Sequence, residues 1–138
     1  YQTYRYLFLL YRGRAVSPEL RERFGSLAKR LWEFVQPKLK TSIRTSAFQK
    51  EVEDMALRPL GMDFEDEVMD GPFMLDFVVH PQVAGVLPVV IEVDGPSHFY
   101  VNREEEPTGT SEFKYRLLEA HRKNWAGLVC INGIEWYR

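Results

Sequence analysis

The chain has 138 residues, 45% of them hydrophobic and 28% charged, with a formal net charge of −2. That is the size and balance of one ordinary globular domain, long enough to bury a core without disulfides. The single cysteine, Cys130, excludes an intramolecular disulfide framework and a multi-cysteine zinc site. No apolar run approaches the roughly 20 residues needed to cross a bilayer, and no membrane partner is expected.

The net charge hides an asymmetry. Residues 1–50 carry eleven Lys and Arg against three Glu, residues 51–106 two Arg against fourteen acids, and residues 107–138 an excess of two positive charges. The pattern fits solvated faces or a basic helical arm beside an acidic site. A uniformly basic footprint is missing, so any nucleic acid would be held by a local patch.

In chain order, residues 4–12 read as the end of a helix. "SPELRERFGSLAKRLWEFVQP" begins with Ser17 as N-cap and Pro18 at the first helical position. Leu20, Phe24, Leu27, Leu31 and Phe34 or Val35 recur at helical spacing, and the helix is expected to stop before Pro37. "SAFQKEVEDMALRP" gives a second helix, with Ser46 and Gln49 at capping-box spacing and Pro59 ending it. "MDFEDEV" alternates like a half-exposed strand, "MDGP" is a turn, and "FMLDFVVH" is a strand apolar on both faces except at Asp76. "PVVIEVD" reads as a central strand and "NREEEPTGT" as a loop too polar to pack. "TSEFKYRLLEAHRKN" is a helix capped by Thr110 or Ser111, "GLVCI" a buried fourth strand, and "NGIEWYR" an aromatic tail. Helices, three strands, helix and strand predict an α/β fold with a mixed sheet flanked by helices.

Glu92 and Asp94 stand two apart on a strand and so share a face, and pairing of neighbouring strands would bring Asp76 close. Three acids on one face need compensation. A divalent cation such as Mg²⁺ would supply it, with Glu51 as a further oxygen ligand; backbone amides or an arginine would serve equally well. His98, after the Gly95–Pro96 turn, fits a base, a ligand or a hydrogen-bonded turn residue. There is no triad geometry and no glycine-rich phosphate loop.

"IEVDGPSHF", "EPTGT" and "FKYRLLEA", with the lead-in "EVMDGPFMLDFVV", resemble the RAP domain, an RNA-binding domain abundant in apicomplexan parasites. The resemblance covers about residues 42–138 and divides the chain into a helical segment, 1–40, and a RAP domain, 41–138. RAP domains are similar in turn to the restriction-endonuclease-like fold, including very short patch repair endonucleases. By position, the resemblance implies Glu51, Asp76 and Glu92 as metal ligands and Asp76, Glu92 and Asp94 as catalytic acids, should the chain be a nuclease. Asp94 stands where many such nucleases carry a lysine; Lys114 on the next helix could substitute or lie on the surface. "CINGIEW" also lacks the proline that tends to precede the closing aromatics in the family.

The family implies RNA as the partner, organellar mRNA or rRNA, with ribosomal or other ribonucleoprotein subunits around it. It implies a mitochondrial site, or a chloroplast or other plastid, and a helical-repeat region ending in residues 1–40. Stacking aromatics and phosphate-binding cations then single out His98, Phe99, Tyr100, Arg103, Lys114, Arg116, Arg122 and Lys123. The resemblance favours an RNA-binding protein without turnover; the alternative is a Mg²⁺-dependent endonuclease working through Asp76 and Glu92.

Overall fold

The computed structural model describes residues 17–42, 45–70, 73–121 and 124–138, and the chain divides into two compact units, Tyr1–Arg44 and Thr45–Arg138. In the first unit, helix α1 spans Pro18–Ser42. Ser17 caps it, its side-chain oxygen accepting from the Leu20 amide at 3.3 Å. The helix does not stop before Pro37 but runs on to Ser42. Pro37 removes one amide donor from the ladder, and the turns on either side carry the helix across that loss. Leu20, Leu27 and Phe34 are exposed, so the apolar stripe is open to solvent at these positions. The helix expected at residues 4–12 lies outside the described residues.

The second unit begins with helix α2, Ala47–Val52, capped by Ser46, whose Oγ accepts from the Gln49 amide at 3.0 Å. The Gln49 side chain does not close a capping box; it crosses to the carbonyl of Asp76 at 3.4 Å. A π-helical turn, Glu53–Leu57, follows. Its buried Glu53 is neutralised by Lys50 at 3.1 Å and by Arg58.

Strands β1 (Asp63–Asp70), β2 (Phe73–His80), β3 (Val89–Asp94) and β6 (Gly127–Asn132) form one mixed sheet in that order. β1–β2 and β2–β3 are antiparallel and β3–β6 is parallel. A parallel pair needs a crossover connection. Between β3 and β6 the chain makes a two-stranded ribbon, β4 (Phe99–Tyr100) with β5 (Arg103–Pro107), and then helix α3 (Gly109–His121). Helix α4, Gly133–Trp136, opens the aromatic tail.

The α/β expectation therefore holds, with three local corrections. Residues 103–107 are a strand rather than part of a loop, because a two-stranded ribbon facing solvent needs no apolar alternation. β6 is an edge strand with Val129 and Cys130 exposed, not a buried one; a short apolar run does not reveal how many neighbours a strand has. The cap of α3 is Thr108, whose Oγ1 accepts from the Ser111 amide at 3.4 Å, rather than Thr110 or Ser111.

Strand periodicity sorts the side chains onto two faces. Phe77, Ile91, Val93 and Ile131 turn to the α2 side and pack with Val52, Leu57, Phe48, Phe64 and Trp136. Glu92 and Asp94 turn to the other side, where α3 covers them. Two ladder interruptions shape that side. The β1–β2 pairing skips Glu67 and Asp76, and Glu67 adopts φ +50°. The β2–β3 pairing ends at Phe77–Ile91. Just past that pair, Asp76 Oδ2 takes the Val93 amide at 2.7 Å.

Candidate functional site

The local fold fixes where the acids go. Glu92 and Asp94 are 0% and 1% exposed, and each is met by a residue of α3. Lys114 Nζ donates to Glu92 Oε2, and the Tyr115 hydroxyl donates to Asp94 Oδ2 at 2.5 Å. The second oxygen of Asp94 stands 2.9 Å from Nδ1 of His98. Ser111 Oγ lies 3.3 Å from the same nitrogen. The His98 carbonyl accepts from the Thr108 amide at 2.8 Å. The "EVDGPSHF" and "PTGT" stretches are thus bonded to each other: the first supplies the acids and the imidazole, the second starts the helix that answers them.

Burial raises the Glu92 pKa to about 7, with Asp76 and Asp94 pushing the same way and Lys114 opposing. Burial alone would lower Lys114, but Glu92, Asp76 and Asp94 outweigh it and hold its pKa above the ordinary lysine value. Asp76 is raised, chiefly by burial, against the Val93 amide and Lys114. The Asp94 bond raises His98. Burial, then Asp94, raises Tyr115, keeping its phenol a donor. The Lys114 ammonium thus faces the acids of this sheet face from α3.

Most of the donor oxygens already have partners. Among the described residues no group of three or more His, Cys, Asp or Glu is arranged to hold one. The oxygens of Asp94 are engaged, Asp76 Oδ2 is on a backbone amide, and Glu92 Oε1 is buried without a hydrogen-bond partner among the described residues. Glu51 belongs to another group altogether: Trp136 Nε1 donates to its Oε1 at 3.0 Å and the Tyr137 hydroxyl to its Oε2 at 2.6 Å. The structure brings Asp76, Glu92, Asp94, His98 and Lys114 together and leaves Glu51 apart from them.

The residues singled out for nucleic acid scatter. Phe99 is buried, Tyr100 is exposed, and Lys114 is consumed by Glu92. Arg103 and Arg116 are exposed and paired with Glu106 and Glu112. Arg122 and Lys123 lie outside the described residues. Sequence reasoning missed the structural parts of Tyr115, Ser111 and Thr108. The i, i+4 spacing of Ser111 and Tyr115 was the available signal, since it sets both on one face of α3.

The fold and site define an α/β domain whose acidic sheet face is closed internally by the helix that follows it. Residues 91–138 match the RAP domain. Over this stretch the chain is similar to the RAP domain, and the match points to RNA binding. The matched stretch starts inside β3 and takes in Glu92, Asp94, His98, Lys114 and Tyr115; Asp76 and Glu51 precede it. No curated protein and no solved structure matches the chain.

Proposed function

We propose that the chain is the RNA-binding part of a protein that acts on organellar RNA and holds it without cutting it. Its setting is a mitochondrion, with a plastid as the alternative. Its role lies in RNA processing, stability or translation, or within a ribonucleoprotein such as a mitochondrial ribosome. The family match supports the RNA partner. The order of elements supports a nuclease-derived scaffold of the restriction-endonuclease-like kind: a helix bearing acids, then a strand with Asp76, then a strand with Glu92.

One observation carries the binding reading over the cleaving one. Glu92 and Asp94 are withdrawn from solvent and engaged by Lys114, Tyr115 and His98. A carboxylate that activates water or holds a cation must offer an oxygen to the reacting centre. Here the acids serve as an internal brace between β3 and α3. Cleavage through Asp76 and Glu92 would first require that brace to open.

Binding is tested by titrating labelled single-stranded and structured RNA with the chain, in chelator, across a salt series. Affinity is expected to persist in chelator and to fall as salt rises, because phosphate contacts release counterions. Affinity indifferent to salt, or none, would overturn the proposal.

A further inference from the structure

We infer that the C-terminal turn forms a site for one unpaired nucleotide of single-stranded RNA, with Tyr137 stacking the base and Arg103 and Arg138 holding its phosphate. The inference rests on the RNA-binding reading above and gives it a place on the chain.

Tyr137 is 63% exposed, yet its ring is fixed. Its hydroxyl is bonded to Glu51, and the Phe48 ring stands behind it at 5.6 Å between centroids. The other Glu51 oxygen accepts from Trp136 Nε1, and Trp136 meets Phe48 edge-on at 6.0 Å. One carboxylate therefore clamps two rings over a third. These two bonds, Tyr137 first, also hold the Glu51 pKa below its usual value, so the clamp stays anionic near neutral pH. An aromatic that merely closed a core would be covered. This one presents its ring to solvent already oriented, so a stacking base would have little rotamer freedom to freeze.

The next residue, Arg138, lines an open cleft of about 480 Å³ together with Val101, Asn102, Arg103, Glu104 and Glu106 of the β4–β5 ribbon. That volume lies within the range of small-ligand sites. Each guanidinium is parked on an exposed glutamate: Arg103 on Glu106 at 3.1 Å, and Arg138 on Glu104 at 3.1 Å. Exposed pairs of this kind are weakly held. A phosphate offers a guanidinium a charged, bidentate acceptor in exchange. Asn102 adds a donor and an acceptor suited to a base edge or a ribose hydroxyl. An oriented aromatic that precedes Arg138 in the chain, with Arg138 and Arg103 on one cleft, suits an unstacked nucleotide better than a duplex, whose bases are stacked on one another.

The test is anisotropy of a labelled single-stranded RNA of about ten nucleotides, with the wild-type chain and four variants whose folding is checked by circular dichroism. Tyr137→Ala is expected to raise Kd about tenfold, the loss of one stacked base. Tyr137→Phe, which keeps the ring but loses its bond to Glu51, should raise Kd by less than Tyr137→Ala. Arg103→Ala with Arg138→Ala should raise Kd about tenfold and lower the salt slope by about one. Glu65→Gln, on β1 and outside the cleft, should change little. Should Tyr137→Ala not fold, the double arginine variant, confined to exposed side chains, decides the matter. RNA binding by the wild type that neither the arginine pair nor Tyr137 affects overturns this site and leaves the RNA-binding reading standing. An RNA duplex bound as tightly as the single strand would also overturn it. No RNA binding by the wild type overturns the reading beneath.

Discussion

Lys114 reaches from α3 to Glu92 on β3, an ammonium and a carboxylate that are 18% and 0% exposed. The pair joins the two elements that flank the connection through the ribbon, and it sits where Asp76 and Asp94 also contribute charge. It is the physical reason three acids can share one sheet face.

Removing one member should therefore cost more than the pair itself is worth. Lys114→Met leaves Glu92 buried beside Asp76 and Asp94 with no cation, and the expected loss is about 3–5 kcal/mol. Lys114→Met with Glu92→Leu should recover much of it, because both charges leave together. Urea denaturation of the four proteins in the cycle measures the coupling. A double variant no more stable than Lys114→Met would contradict the pairing.

Glu92 also predicts the pH dependence of stability. Its folded pKa is raised from 4.5 to about 7, so the folded state binds the proton more tightly than the unfolded chain. The resulting stability is full below the unfolded value and is lost as pH climbs through the folded one. His98 and Asp76, also raised, act in the same sense. Wild type should lose stability relative to Glu92→Gln between about pH 5 and 7, on the order of 3 kcal/mol. Denaturation midpoints at stepped pH test this. A constant difference between the two proteins would count against it.

Asp94 should set the histidine. Nδ1 of His98 stands 2.9 Å from Asp94 Oδ1, and that bond is the largest contribution raising the imidazole pKa. In an NMR titration, His98 of the wild type should titrate above the ordinary histidine value, and Asp94→Asn should bring it down. Tyr115→Phe, which removes the other bond to Asp94, should cost about 1–3 kcal/mol without unfolding the chain.

Gly133 is a packing requirement. A Cβ there would lie 3.0 Å from Phe48 Cε1 and 3.1 Å from the carbonyl oxygen of Asp94. Backbone cannot give way as a flexible side chain would, so Gly133→Ala should destabilise by about 1–3 kcal/mol. Thermal unfolding of the variant, with Gly127→Ala as an open-space control, checks it.

What the sequence could show was local. The Ser17 and Ser46 caps, the strands around Asp76 and Glu92, and the shared face of Glu92 and Asp94 follow from periods of 3.6 and 2 that a short window contains. The answers to those acids did not show. Lys114 and Tyr115 lie over twenty residues downstream, and helical spacing does not say which face of α3 meets the sheet. "REEE" looked like a loop because a ribbon with both faces wet has no apolar alternation to betray it. Glu51 looked like a ligand because its position in α2 fits the pattern that the resemblance implies. Only the folded tail, returning Trp136 and Tyr137 to α2, shows that its oxygens are spoken for.

On the proposed reading this domain holds RNA and does not cut it. The most direct measurement incubates the chain with end-labelled single-stranded and structured RNA in Mg²⁺, in Mn²⁺ and in chelator, and scores binding and cleavage in the same samples. The expected result is RNA retained in all three conditions with its length unchanged. Metal-dependent cleavage that disappears in Asp76→Ala with Glu92→Ala, while the fold of that variant persists, would contradict it.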